Sequence, residues 1–86
     1  MQEVNLTGQQ IRAARSALGW SVRELAEKTG VGSATIVRYE TYDGSPASRK
    51  GHLETIRVTL EAAGIEFIGT PDDGPGIRIR KPSGKG

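Results

Sequence analysis

The sequence of 86 residues contains no cysteine and only one histidine, His52. Without cysteine there is no disulfide framework, no thiolate nucleophile and no cysteine-type zinc site. A Ser/His/Asp triad would depend on His52 alone, which lies in a charged stretch and is expected to be an ordinary solvent-facing helix residue. A metal site would have to use carboxylates only. We therefore expect no metal, no cofactor and no enzymatic activity.

Long apolar runs are also missing. No stretch approaches the roughly 18 apolar residues that a membrane span needs, and the first ten residues lack the basic-then-apolar form of a signal peptide. These absences predict a cytoplasmic protein that does not bind membranes. The net charge is only +2, so the placement of the basic residues says more about partners than their sum does.

The most informative segment is residues 21–40, SVRELAEKTGVGSATIVRYE. Ser21 and Glu24 have the spacing of a capping box, which starts a helix at the next residue. Gly30 suits the left-handed end of that helix, and a second helix should begin near Ser33, with Gly32 or Ser33 as its N-cap. The pattern predicts two short helices joined by a glycine-containing turn, the geometry that places one helix in the DNA major groove.

Short motifs in the first 63 residues point the same way. The most specific are ELA at 24–26, GV at 30–31 and the I-x-x-x-E spacing from Ile36 to Glu40. With them the sequence resembles the Xre/Cro-type helix-turn-helix family of phage and bacterial repressors. Gly32 departs from the Ser or Thr that the family usually carries, a change that costs only a few tenths of a kcal/mol.

The resemblance implies which residues contact DNA bases. They are the exposed positions of the second helix of the motif: Ser33, Ala34, Thr35 and Arg38. The planar guanidinium of Arg38 matches O6 and N7 of guanine, the commonest specific contact in the major groove. The small side chains at the tip imply close approach to the bases.

Phosphate contacts are expected around this surface, because a helix N-terminus and basic side chains both attract anions. The candidates are Ser21, Arg23, Thr7, Gln9, Arg49 and Lys50. Arg15 and Glu40 are different, since the resemblance implies a structural ion pair inside the domain.

The remaining pattern predicts a mostly α fold, a repressor-like bundle of four to five helices with a C-terminal β-hairpin. A first helix should run from a cap at Thr7 to about Leu18, and a fourth from about Arg49 to Ala63, so that residues 1–64 form the DNA-binding domain. Trp20 is expected to pack in the core.

The last quarter alternates with the period of strands. IEFIG and IRIRK predict a hairpin over 65–81 with a seven-residue connection, TPDDGPG, followed by a disordered tail at 82–86. Two strands alone are marginal in water, so we expect a homodimer in which the hairpin pairs with its twin. The alternative is a hairpin that folds back on its own bundle. The apolar residues assigned to dimerisation are Ile65, Phe67, Ile77 and Ile79.

These expectations combine into a functional hypothesis. The chain is predicted to be a sequence-specific transcriptional regulator, a repressor that binds double-stranded DNA at a pseudo-palindromic operator as a homodimer. The alternative is an antitoxin-like subunit that binds a toxin partner and regulates its own operon.

Overall fold

A computed structural model describes residues 6–42, 44–46 and 51–80. Four helices are followed by two strands: α1 (Gly8–Ala17), α2 (Val22–Thr29), α3 (Ser33–Glu40), α4 (His52–Ala62), β1 (Ile65–Thr70) and β2 (Asp73–Ile79). The mostly helical fold with a C-terminal antiparallel hairpin is confirmed. The predicted tail at 82–86 lies outside the described residues.

Side-chain caps start the first two helices. The Ser21 hydroxyl accepts a hydrogen bond from the Glu24 backbone at 3.0 Å, and Glu24 accepts one from the Ser21 backbone at 2.7 Å. This capping box is the one that the sequence predicts. Thr7 caps α1 in the same way, with Gln10 as its partner. Gly30 ends α2 in the left-handed conformation, with φ 78°.

The core lies between the four helices. Its largest fully buried side chains come from all four helices: Ile11, Leu25, Ile36, Ile56 and Leu60. Trp20 is partly buried against this core, as expected, and the Lys28 ammonium lies 4.7 Å from the centre of its ring. On α3, both Val37 and Tyr39 flank the buried Ile36. The structure buries Tyr39 and leaves Val37 48% exposed.

Helix α4 begins at His52, later than the predicted start at Arg49. The reason is local, since Gly51 takes φ 73°, a left-handed conformation that a helix interior does not contain. Arg49 and Lys50 lie outside the described residues. His52 is half-buried, and its Nδ1 lies 3.5 Å from the Tyr39 hydroxyl.

The predicted seven-residue connection of the hairpin is wrong. Thr70 lies opposite Asp73, so the turn contains only Pro71 and Asp72. The glycine-rich residues lie within the strands, at a β-bulge where the register shifts between Ile68 and Thr70. Gly69 and Gly74 both have positive φ values there, 76° and 63°. A β-bulge accommodates an extra residue that makes no hydrogen bond to the neighbouring strand, so the hairpin can continue through this segment.

The hairpin packs on its own helical bundle. Ile65 is 3% exposed, and Phe67 and Ile77 are partly buried against the core. Ile79 lies opposite Ile65 in the register but is 60% exposed. Three of the four residues assigned to dimerisation therefore contact the same chain, and Ile79 is the one that faces solvent.

Candidate nucleic-acid interface

The outer face of α3 is the centre of the candidate interface. Ser33, Ala34 and Arg38, three of the predicted base-contacting residues, are exposed there, whereas Ile36 and Glu40 are buried on the opposite side. Helical geometry puts residues three and four positions apart on one face. The three side chains therefore occupy a common solvent-facing surface, as a recognition helix requires.

Thr35, the fourth predicted base-contacting residue, is less exposed than its neighbour Val37. Thr35 is half-buried, so it lies on the flank of this face. Val37 is 48% exposed and lies one helical turn after Ser33, between the predicted base readers. An exposed valine on a DNA-facing helix can contact the methyl group of thymine. Helix periodicity alone leaves open which of Val37 and Tyr39 is exposed, because both flank the buried Ile36.

The Arg38 side chain has an aromatic neighbour on its own helix. Its guanidinium carbon lies 5.7 Å from the centre of the Tyr39 ring. A cation near a ring face is weakly attracted to it. This contact favours conformations in which the guanidinium stays near the C-terminal half of α3.

Three predicted phosphate contacts are exposed: Ser21, Arg23 and Gln9. Ser21 accepts a hydrogen bond through its oxygen, which leaves the hydroxyl hydrogen available for a phosphate oxygen. The Arg23 side chain is 86% exposed and has a loose ion pair of 3.5 Å with Glu27. Both residues lie at the N-terminal turn of α2, where the helix dipole favours an anion.

Thr7, a predicted phosphate contact, is buried. It is 4% exposed, and its hydroxyl accepts a hydrogen bond from the Gln10 backbone at 3.0 Å. The backbone N–H of the next residue, Gly8, donates to the carbonyl oxygen of Gly44 at 3.0 Å. The loop after α3 thus lies against this end of α1, which the sequence alone did not indicate.

Arg15 and Glu40 join α1 to α3 through two parallel hydrogen bonds. Arg15 Nε donates to Glu40 Oε2 at 2.7 Å and Nη2 donates to Oε1 at 2.9 Å. Arg15 Nη1 also donates to the Trp20 carbonyl at 2.9 Å. The side chains are 16% and 6% exposed. The hydrogen bond to Glu40 raises the pKa of Arg15, while burial opposes the rise. The pair therefore fixes α3 against α1 and the turn before α2.

Gln10 is a structural residue that the sequence reasoning missed. Its Oε1 accepts from the Thr7 backbone at 3.0 Å, and its Nε2 donates to the carbonyl oxygens of Ile68 and Gly76 at 3.1 and 2.9 Å. The T-x-x-Q spacing from Thr7 to Gln10 is a capping-box signal that could have identified the first of these bonds.

Within residues 6–42, 44–46 and 51–80, no three His, Cys, Asp or Glu side chains are grouped so that they could hold a metal ion. In the same residues, no helix has the length and apolar character that would let it cross a membrane.

Comparison with known proteins bears directly on the two-helix motif. Residues 11–50 match the helix-turn-helix family, a segment that includes α2, α3 and most of α1. No curated protein matches the chain. The matched segment contains both the Arg15–Glu40 pair and the exposed face of α3. The match over residues 11–50 supports the resemblance to the Xre/Cro-type helix-turn-helix family and indicates a DNA-binding transcriptional regulator.

Proposed function

We propose that the chain is a sequence-specific transcriptional repressor that binds a pseudo-palindromic operator as a homodimer. The observation that carries the proposal is the outer face of α3, where Ser33, Ala34, Val37 and Arg38 are exposed together. The opposite side of the helix is fixed to α1 by the Arg15–Glu40 pair. A rigidly held helix with such a face fits the major groove.

The side chains on this face suggest how bases are distinguished. Arg38 supplies the guanidinium that can bind guanine through two hydrogen bonds. Val37 supplies an apolar contact for a thymine methyl group, and Ser33 can donate to or accept from more than one base edge. Since each half-site offers few specific contacts, doubling the site through a dimer is the simplest route to useful specificity.

The outer edge of β2 supports dimerisation. The sheet has two strands in the part of the chain that the structure describes, so β2 has no neighbour on that edge. Arg80 N donates to the Gly64 carbonyl at 2.7 Å, and the antiparallel alternation then directs the N–H and C=O groups of Ile77 and Ile79 outwards. Open edges of this kind favour pairing with another chain.

The charges on β2 favour one register for such pairing. A two-fold axis at Arg78 would bring two arginines opposite each other, which is unfavourable. An axis at Ile77 places Arg78 opposite a glycine, the Gly76 position, and brings the exposed Ile79 near Pro75. We therefore propose antiparallel pairing of two β2 strands about Ile77.

DNA binding is tested with the DNA upstream of the chain's own gene at two salt concentrations. Several phosphate contacts require a steep loss of affinity as salt rises. A protein that binds this DNA with no salt dependence, or that binds no DNA at all, contradicts the proposal.

Dimerisation is tested with Ile79→Arg, and Val58→Arg serves as the matched control. The two side chains are 60% and 50% exposed, so neither change should unfold the monomer. We expect the scattering mass to fall from dimer to monomer with Ile79→Arg only. An unchanged mass would place the interface elsewhere. The antitoxin-like alternative predicts instead that a second protein copurifies in a fixed ratio.

A further inference from the structure

The side chain of Gln10 connects α1 to the hairpin. Gln10 is 4% exposed, and its Nε2 donates to the carbonyl oxygens of Ile68 and Gly76, which lie opposite each other in the two strands. One amide group therefore holds both strands at the same point of the register. Its Oε1 is used at the same time, because it accepts a hydrogen bond from the Thr7 backbone at 3.0 Å.

The same end of α1 contacts the end of α3. A Cβ at Gly8 would overlap the carbonyl oxygen of Tyr39 and would come within 2.8 Å of the carbonyl oxygen of Tyr42. The backbone of α1 therefore lies directly against the C-terminal turn of α3. Gly8 N also donates to the Gly44 carbonyl at 3.0 Å, which joins the following loop to α1.

These contacts form a continuous path from the hairpin to α3. The hairpin carbonyls bind Gln10, Gln10 binds the Thr7 cap, and the adjacent Gly8 abuts Tyr39. We propose that Gln10 is a positioning residue for DNA binding, which fixes the orientation of α3 by anchoring α1 to the hairpin. The inference rests on the proposed operator binding. Gln10 is itself buried, so it acts through α3 and does not touch DNA.

Two substitutions test this role, and the first of them separates it from helix capping. Gln10→Glu keeps an oxygen that can accept from the Thr7 backbone, and a carboxylate is favourable in the first turn of a helix. It replaces the Nε2 donor by an oxygen that faces two carbonyl oxygens. Gln10→Met removes both the Nε2 donor and the Oε1 acceptor without adding charge, and it is the second variant if the glutamate variant does not fold.

The control is Ile56→Val, a fully buried residue of α4 that lies outside the proposed path. The substitution lowers stability by loss of a buried methylene. Circular dichroism melting curves identify a temperature at which the wild type and all variants are folded. At that temperature a loss of stability alone leaves DNA affinity unchanged, so a change in affinity reports the position of α3.

The probe is a duplex that the wild-type chain selects from a random DNA pool. For a Gln10 variant we expect an affinity about 2- to 30-fold weaker, the range of coupling through packed networks, with an unchanged salt slope. We expect Ile56→Val to bind like the wild type. Equal binding by folded Gln10 variants, or a reduced salt slope, overturns the inference. If the wild type selects no duplex, the proposed function itself fails.

Discussion

Replacement of Glu40 by alanine should destabilise the domain strongly. In the folded chain the Glu40 carboxylate accepts hydrogen bonds of 2.7 and 2.9 Å from Arg15 and is 6% exposed. Among the described residues, Glu40→Ala leaves the Arg15 guanidinium, itself only 16% exposed, with the Trp20 carbonyl as its remaining partner. A charge left unpaired in such a site is the main source of the loss.

Removing one partner of a buried ion pair costs about 3–5 kcal/mol. A domain of this size has a total stability of about 4–13 kcal/mol, so the variant should be close to unfolding. Since 1 kcal/mol shifts the melting temperature of a small domain by about 4–8 °C, the loss should be about 12 °C or more.

Arg38→Ala is the matched comparison, because Arg38 lies on the same helix but is exposed. Its contact with the Tyr39 ring is long, 5.7 Å to the ring centre, so we expect a stability change of about 0.5 kcal/mol or less. Urea unfolding of both variants gives the two free energies directly. A loss for Arg38→Ala that equals or exceeds the loss for Glu40→Ala would refute the structural role of the pair.

Three further predictions concern backbone packing, pH dependence and phosphate contacts. Gly8→Ala should lower the melting temperature, with a cost of about 1–3 kcal/mol, because its Cβ overlaps the Tyr39 carbonyl oxygen; an unchanged melting temperature would contradict the close approach. The hydrogen bond from Arg80 lowers the pKa of Glu66. Because the pKa is lower in the folded state, the ionised Glu66 carboxylate stabilises the fold above the unfolded-state pKa, and this contribution is lost as pH falls through the folded-state pKa. Arg80→Gln should therefore raise the pKa of Glu66 in an NMR titration. An unchanged pKa would show that the hydrogen bond from Arg80 is not the cause of the shift. Arg23→Ala should weaken binding to all DNA sequences alike and reduce the salt slope by about 1, and a sequence-dependent loss would show that Arg23 contacts bases.

The features that could be predicted from the sequence are those fixed by local chemistry. The capping box from Ser21 to Glu24 and the left-handed Gly30 depend on neighbouring residues only, and both were predicted. The exposure of Ser33, Ala34 and Arg38 follows from helix periodicity once the start of α3 is known.

The features that could not be predicted depend on contacts between distant segments. Gln10 binds carbonyl groups 58 and 66 residues away, and no local pattern contains that information. Thr7 is buried because the loop after α3 lies against the start of α1, a fact about tertiary packing. The short turn of the hairpin was missed because Gly69 and Gly74 serve a bulge as readily as a loop.

The most direct measurement of the central claim is selection of bound duplexes from a random DNA pool by the full chain. We expect an enriched inverted repeat whose half-sites are about one helical turn apart, roughly 34–36 Å. Arg38→Ala should then lose preference at one base of each half-site, by about 1–3 kcal/mol. A pool without enrichment, or an enriched site without two-fold symmetry, would contradict the account.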